Sequence, residues 1–162
     1  MKPFSTCLWF DDQAEEAAQF YTSVFKDGTI RKTTHFTEAG KEIHQKPIGS
    51  VMTVEFEING QIFTALNGGP MFQFNEAISL QVNCETQDEI DYYWEKLSAG
   101  GDESAQRCGW LKDKFGLSWQ VVPTVLAELI RSGDSAQSAR VLNALFQMQK
   151  LDIAQLQAAA EA

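Results

Sequence analysis

A chain of 162 residues, 44% of them hydrophobic, is the size of one ordinary domain and has enough apolar material for a substantial core. Its 13 Lys and Arg against 22 Asp and Glu leave a formal charge of −9, and no basic run supplies the phosphate neutralisation that nucleic-acid binding requires. No apolar stretch approaches the roughly 18 residues of a membrane span, and Met1-Lys2-Pro3-Phe4 lacks a charged-then-apolar leader, so a cytoplasmic chain without membrane partners is expected.

The first predicted strand, Phe4 to Phe10, ends at Asp11-Asp12, where Asp12 is placed to cap a helix and Glu15 completes an Asp-x-x-Glu pattern. The helix runs to about Phe25, with Ala14, Ala17, Ala18, Phe20, Tyr21 and Val24 at the spacing of one buried face. After Asp27-Gly28, Thr29 to Phe36 reads as a strand, with His35 at its end. The polar stretch Thr37 to Pro47 reads as a long loop that carries His44. Ser50 to Ile58 and Gln61 to Leu66 flank Asn59-Gly60, a dipeptide suited to the positive φ of a type I′ turn. A two-residue turn pairs Ile58 with Gln61, Glu57 with Ile62, Phe56 with Phe63 and Glu55 with Thr64. Asn67-Gly68-Gly69-Pro70 then breaks the pattern.

The second half repeats the plan. Phe20 and Tyr93 stand 73 positions apart, as do Tyr21 and Trp94, and the same offset sets Cys7 on Leu80 and Trp9 on Val82. After an apolar strand, Thr86-Gln87-Asp88-Glu89 forms a capping box and opens a helix that ends near Gly100-Gly101. Strands are predicted at Ser104 to Cys108, Trp110 to Lys112 and Leu117 to Val122, with Lys114-Phe115-Gly116 as a turn. Beyond Pro123 the composition is helical and has no copy in the first half: Val125 to Arg131, a helix capped by Asp134 or Ser135, and a last piece capped by Asp152. Cys7, Cys84 and Cys108 are widely spaced and form no CxxC pair, as expected of reduced structural thiols.

A strand, a helix and three strands, given twice, resembles the βαβββ module of the vicinal-oxygen-chelate (glyoxalase, bleomycin-resistance and dioxygenase) superfamily. More closely, the chain resembles its PhnB-like branch, also labelled demethylubiquinone-methyltransferase-like. The resemblance is carried by CLWFDDQAEEAAQFY, GSVMTVEFEINGQIFTALNGGP, FNEAISLQVNCETQDEIDYYWEKL and CGWLKDKFGLSWQVVP. It implies an α+β fold in which two modules, about 1–67 and 76–123, form a pseudo-twofold curved sheet around a cleft. Residues 1–123 are thus the tandem domain and 124–162 a C-terminal helical extension. It also implies homodimerisation, for which Leu145, Phe146 and Met148 offer an apolar stripe that could equally pack back on its own chain.

In metal-dependent members the resemblance implies four ligand positions, which fall here on Thr6, Thr64 (or Ala65), Ser79 and Gln120. None is a histidine or carboxylate, and weak neutral oxygens suit a catalytic divalent metal poorly, so no metal is expected. Strand alternation extends the cleft-facing set to Leu8 and Phe10 beside Thr6, to Gln81 and Asn83 beside Ser79, and to Ser118 and Val122 beside Gln120. Trp110 could wall this cleft or pack in the core. Glu55, sharing the face of Thr64, is either a partly buried general acid or base or part of a solvated strand face. His35 and His44 are candidate acid–base groups over the cleft mouth or plain surface residues. No Gly-rich loop leads from a strand into a helix, so no nucleotide or methyl-donor cofactor is expected. Two readings stand: a binding protein for a small metabolite, and a lyase- or isomerase-like enzyme using Glu55 or a loop histidine.

Overall fold

A computed structural model describes residues 4–131 and 134–162. The chain divides into two compact units, Met1–Phe74 and Asn75–Ala162, that share one α+β plan.

In the first unit the elements are β1 (Thr6–Phe10), α1 (Ala14–Val24), β2 (Thr29–His35), the short α2 (Lys41–His44) within the predicted loop, β3 (Val51–Ile58) and β4 (Gln61–Asn67). The sheet runs β1-β4-β3-β2, with β1 parallel to β4 and the other pairs antiparallel. Asn59 and Gly60 take φ of 50° and 72°, the left-handed values a type I′ turn demands. That turn fixes the register, and all four pairs read from the sequence are present, Glu55 opposite Thr64 among them. One sheet face is apolar and buried through Val54, Phe56, Ile58, Phe63 and Ala65. On the facing helix, the fully buried Ala14, Ala17 and Ala18 leave room for close packing. The Tyr21 ring stacks 5.9 Å from Phe56, which stacks 5.3 Å from Phe63.

The start of α1 differs from expectation. Its N-cap is Gln13, without a side-chain cap, and Asp12 lies outside the capping position. Asn67 replaces it from the end of β4: its Oδ1 accepts the Ala14 N–H at 2.8 Å while its Nδ2 donates to the Val51 carbonyl at 3.0 Å. One buried amide therefore ties α1 to β3 and β4. The following turn is equally close: a Cβ on Gly68 would lie 2.2 Å from the Trp9 ring, whose Nε1 donates to the Gly69 carbonyl at 2.8 Å.

In the second unit the elements are β5 (Leu80–Cys84), α3 (Gln87–Ser98), a 3-10 turn (Glu103–Ala105), β6 (Trp110–Lys112), β7 (Ser118–Pro123), α4 (Val125–Arg131), α5 (Ser135–Leu145) and α6 (Ile153–Glu161). Its sheet runs β5-β7-β6, again with first and last strands parallel. The Thr86 and Glu89 capping box forms as read, and Asp134 and Asp152 cap α5 and α6.

The strand expected at Ser104 to Cys108 does not form. Asp102 accepts the Ser104 N–H at 2.9 Å and nucleates the 3-10 turn instead. Cys108 and Gly109 then take φ of 52° and 85°, folding Arg107 back onto Trp110 in a two-residue turn. The N–H groups at the tip of this turn point into the C-terminal region: Cys108 donates to the Met148 carbonyl and Gly109 to that of Gln149, both at 2.8 Å.

A second turn is built on Asp113, which is buried at 2% exposure yet carries a carboxylate. Its oxygens accept the N–H of Phe115 at 2.9 Å, of Leu117 at 3.0 Å and the indole N–H of Trp119 at 2.8 Å, satisfying the charge in place of water.

The C-terminal helices have their own small core of Val141, Leu151 and Leu156, against which Leu126, Leu145 and Met148 pack. Most of the predicted apolar stripe thus packs back on its own chain, and only Phe146, at 60% exposure, stays out. Gln87 of α3 fastens the assembly, donating to the Leu151 carbonyl at 3.1 Å and accepting the Ile153 N–H at 2.9 Å. Among the described residues no helix is long and apolar enough to cross a membrane.

Candidate functional site

Each sheet buries one face beneath a helix and turns the other away from it. In the first unit the buried face follows Phe63, Ala65 and Asn67 on β4, and the parallel register adds their β1 partners Thr6, Leu8 and Phe10. This corrects the expectation that these three line the opposite face. Leu8 and Phe10 are core residues, 5% and 2% exposed. Thr6, at the edge, accepts a hydrogen bond from the Gln61 side chain at 3.2 Å. The face away from α1 carries Cys7 and Trp9 instead.

The cause is one residue. Three residues, Asp11 to Gln13, connect β1 to α1, whereas two, Glu85 and Thr86, connect β5 to α3. The helices keep the offset of 73, so buried Ala17 matches buried Ile90 and Val24 matches Leu97, but the strands are offset by 74. Cys7 therefore corresponds to Gln81 and Leu8 to Val82. Thr64 keeps its correspondence with Gln120, because Cys7 pairs with Thr64 just as Gln81 pairs with Gln120. A slip of one residue exchanges the two faces of a strand, which is why so small an insertion displaced the whole β1 set.

On the face away from α1, half-buried Glu55 stands between Thr64 on β4 and Lys32 on β2. Glu57 is ion-paired with Arg31, which sits in the bulge of β2. His35 is exposed at the end of β2. His44 is engaged within its own loop: Nδ1 accepts the Lys46 N–H at 3.0 Å, Nε2 lies 3.2 Å from the Thr37 carbonyl, and the ring packs against Phe36 at 4.6 Å. With Nδ1 accepting, the proton sits on Nε2 and is donated to that carbonyl. Neither histidine is brought beside Glu55 by the sheet register. Phe72 and Phe74, at the end of this unit, pack edge-on against Trp9 and Phe10 at 4.9 Å and 5.2 Å.

In the second unit the expected faces are present. Leu80, Val82, Trp119, Val121 and Leu111 share the helix-covered face, and Gln81, Asn83, Ser118, Gln120 and Val122 share the other. Trp110 and Lys112 join the second set, opposite Gln120 and Ser118. A polar chain runs along it: Gln81 Nε2 donates to Gln120 Oε1 at 3.3 Å, and Gln120 Nε2 donates to Ser79 Oγ at 2.8 Å. Lys112 is ion-paired with Glu76, whose carboxyl is held below its usual range by the hydrogen bond from Lys112. Ser118 is fully buried, and its hydroxyl has no hydrogen-bond partner among the described residues.

Two thiols lie at the sheets. Cys7 is exposed on the face away from α1, its thiol raised by partial burial. Cys84 is buried, and burial followed by the charge of Glu89 pushes it up to about 11. Neither favours the thiolate needed of a metal ligand. Among the described residues no three His, Cys, Asp or Glu side chains group together as a metal site. Taken unit by unit, Cys7 with Thr64 offers a thiol and a hydroxyl, and Gln81 with Gln120 two amides; neither pair brings the imidazole or carboxylate that a catalytic divalent ion takes.

Sequence reasoning missed Cys7 and Lys112. Cys7 was legible in principle, since the capping box starts nearer to its strand in the second half than the equivalent point in the first. Lys112 had no comparable signal.

A family model described as 3-demethylubiquinone-9 3-methyltransferase matches residues 2–122. Among solved structures, a PhnB protein from Bacillus cereus is 34% identical, with 76% of this chain and 100% of that one covered and a TM-score of 0.63. A protein from Pseudomonas aeruginosa is 18% identical over 76% and 98% of the two chains, with a TM-score of 0.56. The fosfomycin resistance protein FosX from Mesorhizobium loti is 15% identical over 78% and 94%, with a TM-score of 0.55. The last two show likeness of fold alone. Curated proteins yield no match.

Proposed function

As the chain belongs to the 3-demethylubiquinone-9 3-methyltransferase family, in the PhnB-like branch of the vicinal-oxygen-chelate superfamily, we propose that it binds a small metabolite through neutral polar groups, without a metal. The observation that carries this reading is the chain of hydrogen bonds from Gln81 through Gln120 to Ser79. Gln120 and Ser79 stand at positions where the superfamily's metal-dependent members are expected to hold ligands. Here their polar atoms bond one another, and amide and hydroxyl groups recognise neutral or weakly polar ligands by hydrogen bonding. Thr64 and Cys7 are the first unit's counterparts of Gln120 and Gln81. The family's name speaks of methyl transfer, but β1 leads into α1 through Asp11-Asp12-Gln13 rather than a Gly-rich turn, and methyl transfer is no part of the proposal. Free thiols and a net charge of −9 fit a cytoplasmic protein, and a homodimer fits the family.

The test is native mass spectrometry and elemental analysis of the gently purified protein. Expected are an organic adduct released on denaturation, weakened by Gln120→Leu, and no stoichiometric metal. One equivalent of zinc, nickel or iron, lost in Gln120→Leu, would overturn the metal-free reading.

A second reading is favoured by one observation: half-buried Glu55 is the carboxylate paired across the sheet with Thr64 and Lys32, on the face away from α1, and a carboxylate so placed can serve as a general base. In that case Glu55→Gln abolishes turnover of the co-purified compound and leaves its binding within about threefold. Turnover retained by the variant would remove Glu55 from the chemistry.

A further inference from the structure

The turn that carries Arg107 is held from three directions. Cys108 and Gly109 form its tip, their N–H groups donating to the Met148 and Gln149 carbonyls, and the Gly109 carbonyl accepts the Val121 N–H at 2.8 Å. Arg107 and Trp110 close it with a reciprocal pair of backbone hydrogen bonds, at 3.1 Å and 2.8 Å. The side chain is treated differently. Arg107 is exposed, and its guanidinium has no partner among the described residues. Every other described cation of the second unit is engaged: Lys96, Lys112 and Lys150 pair with Glu95, Glu76 and Asp91, Arg131 and Arg140 donate to backbone carbonyls, and Lys114 lies over the Phe115 ring. Of the acidic residues just before the turn, Asp102 is bonded to Ser104, and neither it nor Glu103 pairs with Arg107.

Register places that free cation in a row. Arg107 stands across from Trp110, Trp110 from Gln120 and Gln120 from Gln81, so the four side chains share the face turned away from α3. Unused donors run along it. Gln81 Nε2 gives one proton to Gln120 Oε1 and Gln120 Nε2 gives one to Ser79 Oγ, so each amide nitrogen keeps a second. The Trp110 indole N–H has no acceptor among the described residues. Reversing both amides leaves one free N–H on Gln120 and two on Gln81, so the surplus of donors survives either assignment. Gln81 Oε1, at the far end of the row, is the free side-chain acceptor set against them.

A surplus of donors beside an unpaired cation matches a group that only accepts, which is an oxyanion. One guanidinium offsets one negative charge, and the chain's formal −9 repels a second, so a monoanion is preferred to a dianion. The planar fork of an arginine fits a carboxylate in two parallel hydrogen bonds. Arg107 and Gln120 lie on either side of Trp110, two strand spacings or roughly 10 Å apart at the backbone. The long arginine stem can cross that gap above the indole, whose half-buried ring is an apolar seat for the rest of a ligand.

We propose that this face takes an aromatic monocarboxylate. Its carboxylate is held between the Arg107 fork and the free N–H of Gln120, and its ring lies against Trp110. The inference rests on the small-molecule reading above and goes beyond it, since the same amides serve and the ligand carries one charge.

Benzoate, benzamide and phenyl phosphate test it, sharing a ring and differing in charge; at about pH 8 the phosphate is a dianion. With the full chain labelled with nitrogen-15, benzoate is expected to shift the Arg107 Nε–H, the Trp110 indole and the Gln120 amide signals, and to bind at least tenfold more tightly than either other probe. Arg107→Gln removes a side chain without partners, so the melting temperature should hold while benzoate affinity falls about tenfold, to the level of benzamide. Arg107→Lys keeps the charge without the fork and should recover part of the loss. Benzamide binding as tightly as benzoate, or benzoate binding unchanged in Arg107→Gln, would overturn the proposal. Tighter binding of phenyl phosphate would overturn the choice of a monoanion, and signals unmoved by all three probes would overturn the ligand class. The small-molecule reading is decided separately: a co-purified compound that shifts the Gln81 and Gln120 signals equally in the parent and in Arg107→Gln sustains that reading while this inference fails.

Discussion

The two units solve the same folding problem with different amounts of local information. In the second, α3 starts where its own sequence says it should, at Thr86, with Glu89 returning the bond. In the first, α1 starts one residue later than its acidic signal suggests, and its free N–H is taken by Asn67, 53 positions away. The first unit closes its sheet with a fourth strand, β2, whereas the second spends the equivalent stretch on a 3-10 turn and takes support from three helices that the first lacks. The faces turned from the helices differ as well: charged through Glu55, Glu57 and Lys32 in one, amide-rich with the cations Lys112 and Arg107 along its β6 side in the other. A repeated plan conserves where the chain goes. It does not conserve what each face offers.

The comparison can be broken most forcefully at Asp113, which has no counterpart among the turns of the first unit. Asp113→Ala leaves three N–H groups, one of them the Trp119 indole, without their acceptor, and should cost about 3 kcal/mol in chemical denaturation. The loss should appear in amide-exchange protection of the second unit. Protection lost evenly across both units would show that they unfold as one.

The two helix starts give a more even contest. Asn67→Ala removes a buried cap and a second bond to Val51, with an expected loss of about 2 kcal/mol. Thr86→Ala removes one solvent-near cap and should cost about 1 kcal/mol. Equal effects from the two substitutions would deny the distinction between a long-range and a local cap.

The smallest effect concerns the contact between α3 and the C-terminal region. Asp91 is held below its ordinary 3.8, first by its hydrogen bond with Lys150 and then by Gln87. A carboxyl lowered in the folded state adds stability above its unfolded value, and that contribution is lost as pH falls through the folded one. Lys150→Ala should therefore lower stability by roughly 0.3 kcal/mol near neutrality, as exposed pairs do, with the difference from the parent protein beginning to shrink below the ordinary 3.8 and disappearing as the folded-state carboxyl is itself protonated. Thermal melts between pH 3 and 7 read it. A difference that persists at the acid end would mean that Lys150 contributes through packing.

What the sequence disclosed divides along the same line. The Asn59-Gly60 hairpin was legible to the residue, because a two-residue turn leaves a single register. The capping box of α3 was legible because both partners lie within four positions. The cap of α1 was hidden, since nothing near Gln13 points to Asn67. The faces of β1 were misread because the offset came from helices, whose period tolerates one extra residue in the preceding connection, whereas a strand's period of two does not. Of the candidate site, the second unit's polar face was legible from alternation. The engagement of His44 depends on how its own loop folds, and the burial of Ser118 on how its sheet is covered, neither of which any spacing reports.

The turn at Cys108 and Gly109 has a consequence for where this molecule could be cut. A Cβ on Gly109 would lie 2.9 Å from the Val121 carbonyl and 3.0 Å from Leu151, so β7 and the C-terminal region meet at one atom's width. A chain ending after Pro123 would keep every strand of both sheets, yet bare two backbone donors and the side chain of Gln87. The family match covers residues 2–122, so the stretch that reads as an addition in a sequence comparison is, in mechanical terms, a buttress of the second sheet.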